Sequence, residues 1–120
     1  MAEAKRVLVV DDDEAVASML SRALSRHGFQ IDTARTAEEA LEKAQGAAYD
    51  AALLDLVMPG RDGADLGAVL AASCPGITIA FLTGYQNSPL IEAAKKAGRA
   101  VFPKPVVVQD LADYLDSELR

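Results

Sequence analysis

Four hydrophobic runs in this chain each end in a polar residue suited to phosphate chemistry. Val7-Leu8-Val9-Val10 leads into Asp11-Asp12-Asp13, and Ala51-Ala52-Leu53-Leu54 into Asp55. Ile77 to Leu82 leads into Thr83, and Ala100-Val101-Phe102-Pro103 into Lys104-Pro105. Carboxylates, a hydroxyl and an ammonium gathered on one edge would suit a divalent cation and a phosphoryl group. Mg²⁺ takes oxygen ligands in octahedral geometry, commonly one or two carboxylates with phosphate and water. Asp11, Asp12 and Asp55 offer those oxygens. Asp13 and Glu14 also fit the acidic first turn of a helix, where the dipole favours negative charge. Asp55 could act as a nucleophile, since carboxylates form phosphoryl-enzyme intermediates. Thr83 could donate to a phosphoryl oxygen, although a lone threonine is more often a loop residue. Lys104 stands between two prolines, which hold its backbone extended, and its ammonium can meet phosphate as a point charge.

The elements that must position these residues follow from periodicity. Strand and helix patterns alternate along the chain, which signals a parallel sheet with covering helices. Strands are expected at about 6–10, 29–33, 51–54, 77–82 and 100–102. Helices are expected at about 14–26, 36–46, 64–73, 88–97 and 108–119. Val16, Met19, Leu20, Ala23 and Leu24 form an apolar stripe at helical spacing, and Gly28 suits a left-handed cap after His27. Thr36 with Glu39 reads as a capping box. Asp50 reads as a turn residue on the far edge of the sheet. Right-handed crossovers then favour an α/β, flavodoxin-like doubly wound sheet of five parallel strands, order 2-1-3-4-5, with five helices. In such a sheet the polar ends of strands 1, 3, 4 and 5 lie side by side.

The chain has 120 residues, a net charge of −6 and one cysteine, Cys74. That length suits one domain, 1–120, able to bury a core without disulfide or structural metal. The acidic balance argues against a nucleic-acid surface. No apolar run approaches the ~18 residues of a membrane span, and the N-terminus lacks a signal-peptide core. A cytoplasmic location is the expectation.

Taken together, Val9-Val10-Asp11-Asp12, Leu54-Asp55-Leu56-Val57-Met58-Pro59-Gly60, Leu82-Thr83-Gly84 and Lys104-Pro105 resemble the response-regulator receiver domain of two-component signalling, over about the whole chain. The resemblance implies that Asp55 is the phosphoacceptor. It implies that Asp11 and Asp12 hold Mg²⁺, with Asp55 and the main-chain carbonyl of Val57 as further ligands. Thr83 then resembles the switch hydroxyl and Lys104 the phosphate-pairing lysine, with a cis peptide before Pro105. Implied partners are a sensor histidine kinase or histidine phosphotransfer protein, docking on Ala15, Ser18, Met19 and Arg22 with Pro105 and Val106. An effector protein or a second copy would meet the face of helix 4, strand 5 and helix 5. The domain would promote its own phosphorylation and slow dephosphorylation rather than act as an enzyme.

Two positions depart from the family pattern. Val101 stands where the family usually has an aromatic residue that swings inward, and neighbouring Phe102 should point to the opposite face. Val57 and Tyr85 occupy the positions where a polar residue often orients a hydrolytic water, so a long-lived phosphate is expected. Rival readings are an aspartyl phosphohydrolase, which would need an acid/base aspartate at position 57, and a flavodoxin, whose phosphate loop would not be acidic. A receiver-like scaffold that is never phosphorylated is a third, against which the intact set of five residues speaks.

Overall fold

The computed structural model describes residues 4–58, 63–84 and 89–119. Its elements run β1 (Arg6–Val10), α1 (Glu14–Arg26), β2 (Gln30–Ala34), α2 (Ala37–Gly46), β3 (Ala51–Asp55), α3 (Gly63–Ser73), β4 (Thr78–Thr83), α4 (Pro89–Lys96), β5 (Ala100–Pro103) and α5 (Val108–Glu118). All pairings are parallel, and the strand order is β2-β1-β3-β4-β5.

Strand alternation sorts the core into two layers. Leu8, Val10, Leu54, Ile79 and Phe81 face α2, α3 and α4, whose Ala40, Leu66, Leu70, Ile91 and Ala94 cover them. Val7, Val9, Leu53, Ala80 and Leu82 face α1 and α5, where Leu20, Leu24, Leu111 and Leu115 complete the layer. Both faces of β1 and β3 are covered, so these strands are apolar throughout. On α1 the fully covered stripe is Ala17, Leu20 and Leu24, with Val16, Met19 and Ala23 half-buried beside it. Ala17 was absent from the expected stripe because its small side chain carries little hydrophobic signal. Val101 and Phe102 part as strand geometry requires. Val101 packs on the α3/α4 layer, while Phe102 meets Tyr114 of α5 edge-on at 5.3 Å between ring centroids.

Local signals set the element ends. α1 closes in a Schellman turn: Gly28, at φ 98°, donates to Ser25 O, and Phe29 donates to Leu24 O. That bond holds Phe29 in the cap, so β2 begins at Gln30 rather than Phe29. Ile77 likewise donates to Cys74 O, which delays β4 to Thr78. Thr36 caps α2 by accepting from Glu39 N at 3.1 Å, but Glu39 Oε1 reaches past the cap to Arg35 N at 2.7 Å. The capping box is therefore displaced by one residue on its return arm. α4 begins at Pro89, and Ser88, its expected first residue, lies outside the described residues.

The edge of the sheet remote from the strand-end aspartates is held by polar side chains. Asp50 Oδ2 accepts from Arg6 N at 2.9 Å, and Asp32 Oδ2 accepts from Arg6 Nη2 at 3.1 Å and from Tyr49 Oη at 2.7 Å. The Arg6 guanidinium also lies over the Tyr49 ring. Burial, then the bond and charge of Asp32, push the Tyr49 phenol up to about 12. This cluster fastens β1, β2 and the start of β3 and leaves the opposite edge free for chemistry.

Candidate functional site

Each strand-end residue is fixed by a hydrogen bond that extends the ladder beyond the strand. Asp11 N donates to Ala34 O, Leu56 N to Leu82 O, and Lys104 N to Thr83 O. Neighbouring strands lie about 4.8 Å apart, so these bonds hold the carboxyl ends of β1, β3, β4 and β5 in one row. The Lys104–Pro105 peptide is cis.

The row converges on a compact acidic pocket. Carboxylate oxygens of Asp11, Asp12 and Asp55 lie within 4.8 Å of one another. Asp11 is 0 % exposed and Asp55 7 %, while Asp12 is open to solvent. Lys104 Nζ stands 2.7 Å from Asp11 Oδ2 and 3.3 Å from Asp55 Oδ2. The first contact is a close ion pair to a fully buried carboxylate. Asp11 Oδ1 accepts from Asp13 N at 2.9 Å, and Asp55 Oδ1 from Val57 N at 3.2 Å. Thr83, 3 % exposed, ends β4 in register with Pro103. Asp13 turns away from the pocket and caps α1 through Ala15 N and Val16 N, as its place at a helix N-terminus favours.

Burial and the Asp11 charge together raise the Asp55 carboxyl from an ordinary 3.8 to about 6, against the pull of Lys104. Burial acts to lower the Lys104 ammonium, but its bond to Asp11 and the charges of Asp11 and Asp55 outweigh this and raise it. The lysine is therefore a fixed cation and Asp55 a carboxylate held at a cost by its surroundings. Removing the cation should expose that cost. Lys104→Ala should lower unfolding stability at pH 8 by about 2–3 kcal/mol in metal-free buffer. The loss should shrink at pH 5, where the Asp55 carboxyl takes up a proton. Urea melts at the two pH values measure it, and equal losses at both would contradict the account.

Val57 is 38 % exposed on the loop after β3. Val101 is half-buried against the α3/α4 layer. Pro105 is exposed and Val106 half-buried beyond Lys104. On α1, Ala15, Ser18 and Arg22 are exposed, while Met19 belongs to the α1/α5 core layer. Tyr85, Pro59 and Gly60 lie outside the described residues.

One residue of the site escaped notice in the sequence. Gly63, the first residue of α3, donates its N–H to Leu56 O at 2.8 Å. A Cβ there would stand 2.1 Å from the Asp55 carbonyl oxygen. The helix start is thus pressed against the backbone that carries Asp55. A glycine opening a helix after a turn-rich loop is its only sequence trace.

Comparison with known proteins agrees with this geometry. The family profile described as response regulator receiver domain matches residues 7–116. A response regulator receiver protein of Anaeromyxobacter is 36 % identical over 110 residues, covering 91 % of this chain and 46 % of the relative. The response regulator MprA of Mycolicibacterium vanbaalenii is 34 % identical over 116 residues, covering 96 % of this chain and 50 % of that protein. The chain thus spans about half the length of the curated relatives it matches. Among solved structures, a CheY-like receiver domain protein of Methanospirillum hungatei aligns with TM-score 0.90 at 30 % identity, covering 98 % of this chain and 94 % of that one. Chemotaxis protein CheY4 of Vibrio cholerae aligns with TM-score 0.86 at 29 % identity, covering 98 % of this chain and all of that one.

Proposed function

Since this chain belongs to the response regulator receiver domain family, we propose that it accepts a phosphoryl group on Asp55 from a phosphohistidine of a partner protein, in a step that requires Mg²⁺. What supports this most is the convergence of three carboxylates with the Lys104 ammonium 3.3 Å from Asp55 Oδ2. An acidic pocket alone would repel a phosphoryl donor. The donor set is all oxygen and suits Mg²⁺. Asp11, Asp12, Asp55 and the main-chain carbonyl of Val57 would hold the ion, which supplies charge neutralisation when bound.

Asp55 attacks the phosphorus in line. The new O–P bond forms as the P–N bond to histidine breaks, and the departing imidazole takes up a proton. Phosphoryl transfer depends on positioning and on offsetting charge at the equatorial oxygens. Lys104 provides one such charge, already oriented by Asp11. Thr83, at the end of the adjacent strand, then donates its hydroxyl to the bound phosphoryl group and biases a two-state surface. The kinase or phosphotransfer partner meets Ala15, Ser18 and Arg22 of α1 together with Pro105. An effector or a second copy meets the face of α4, β5 and α5. In this reading the domain is a phosphoacceptor and not a turnover enzyme. Among the described residues no helix is long and apolar enough to cross a membrane.

Incubation with acetyl phosphate and Mg²⁺ should add one hydroxylamine-labile phosphoryl group per chain, and chelation should prevent it. No incorporation, or incorporation that ignores the chelator, would overturn the reading. Sustained hydrolysis of simple phosphate esters would instead favour the phosphohydrolase. The acyl phosphate should decay slowly, because neither Val57 nor Tyr85 carries a small polar group that can seat a water. Val57→Asn should speed its loss about tenfold, less than the roughly 10²–10⁴-fold of a fully positioned acid–base group because an amide only orients the water, and decay at the wild-type rate would dismiss that explanation.

A further inference from the structure

The site threonine shares a strand face with a buried ring. Phe81 precedes Thr83 by two residues on β4, so both side chains leave the strand on the same side. The ring is 2 % exposed and lies on the layer covered by α3 and α4. Beneath it α3 carries Gly67, where a Cβ would stand 2.9 Å from Phe81 Cζ. The absent side chain is what admits the ring. Ring and glycine together line a groove of about 190 Å³ between α3 and α4, with Ala64, Ala68, Ala93, Ala97 and Arg99 around it. Phe81 is therefore packed closely against α3 and, although only 2 % exposed, borders the groove. Where it borders the groove, the ring has fewer dispersion contacts and less steric resistance to movement than a ring enclosed on every side. α4 in turn buries only Ile91 and Ala94 among its described residues. Val101, in register with Phe81 on β5, is a compact β-branched residue that leaves the ring as the bulky group at this level of the layer.

We propose that Phe81 couples the Asp55 site to the α3–α4 groove. When Thr83 is drawn toward a bound phosphoryl group, the strand end carries Phe81 with it, and the ring changes its fill of the groove and the seat of α4. The proposal rests on the phosphoacceptor reading and adds the route by which that site is read out.

Heteronuclear NMR with beryllofluoride and Mg²⁺, a stable phosphoryl mimic, separates the two. Fluorine signals of the bound mimic report the site, and amide signals of Ala68 and Ala97 report the groove. In wild type both should respond. In Phe81→Leu, or in Phe81→Met should the first fold poorly, the mimic and the Asp12 amide should respond as before while the Ala68 and Ala97 shifts are lost. Shifts at Ala68 and Ala97 that persist in the variant overturn the coupling and leave the phosphoacceptor reading standing. Failure of wild type to bind the mimic overturns both.

Discussion

Asp55→Asn should reduce phosphoryl incorporation from acetyl phosphate by at least about a hundredfold, the scale expected when a covalent nucleophile is removed. The amide keeps the shape of the side chain and its bond from Val57 N, so the loss would report chemistry rather than unfolding. Labelling of the variant at the wild-type rate would place the acceptor elsewhere. The same substitution should stabilise the metal-free protein at neutral pH. Asp55 keeps its proton up to about pH 6 in the folded chain, against an ordinary 3.8. Between those values the native state binds more protons than the unfolded one, so stability falls as pH rises through that window. About two pH units bound the effect at about 3 kcal/mol. Screening at the open mouth of the pocket reduces it to about 1–2 kcal/mol. The gain of Asp55→Asn over wild type should accordingly be present at pH 7, vanish near pH 4 and close on addition of Mg²⁺. Urea melts across that range test it, and a gain independent of pH would assign the effect to something other than the carboxylate.

Gly63→Ala should be the most damaging single substitution for the fold. The added carbon would sit 2.1 Å from the Asp55 carbonyl oxygen and 2.9 Å from Leu56 Cα, both backbone atoms. Neither can turn aside, so α3 must lift from β3 or the loop carrying Asp55 must move. Overpacking of a close-packed interior costs about 1–3 kcal/mol and more when backbone is displaced, and about 4 kcal/mol is expected here. Gly67→Ala makes the useful contrast. Its nearest clash, also 2.9 Å, is with the ring of Phe81, which can shift into the groove beside it. A denaturant series should rank Gly63→Ala well below Gly67→Ala. A Gly63→Ala protein as stable as wild type would show that the helix start is not held against the nucleophile's backbone.

The architecture was legible because its signals are local. Apolar runs closed by polar residues marked four strands, and right-handed crossovers arranged them with the fifth. His27-Gly28 and Thr36 announced helix ends that the structure places at the same residues. Boundaries slipped where a backbone bond across a turn outranked side-chain type, as at Phe29 and Ile77. The meeting of Asp11, Asp12, Asp55 and Lys104 was also legible, since parallel strands leave their carboxyl ends on one edge.

Sequence by itself settled which residue types stand at the ends of the strands, and so which chemistry the edge can perform. Tertiary structure alone settled how they share the work. It paired Lys104 more closely with Asp11 than with Asp55, withdrew Asp13 to cap α1, pressed Gly63 against the Asp55 carbonyl and left space beside Phe81. Those outcomes depend on distances between segments far apart in the chain. Hydrophobic periodicity fixes the direction in which a side chain leaves its strand, but only packing of helices against the sheet fixes what it meets there.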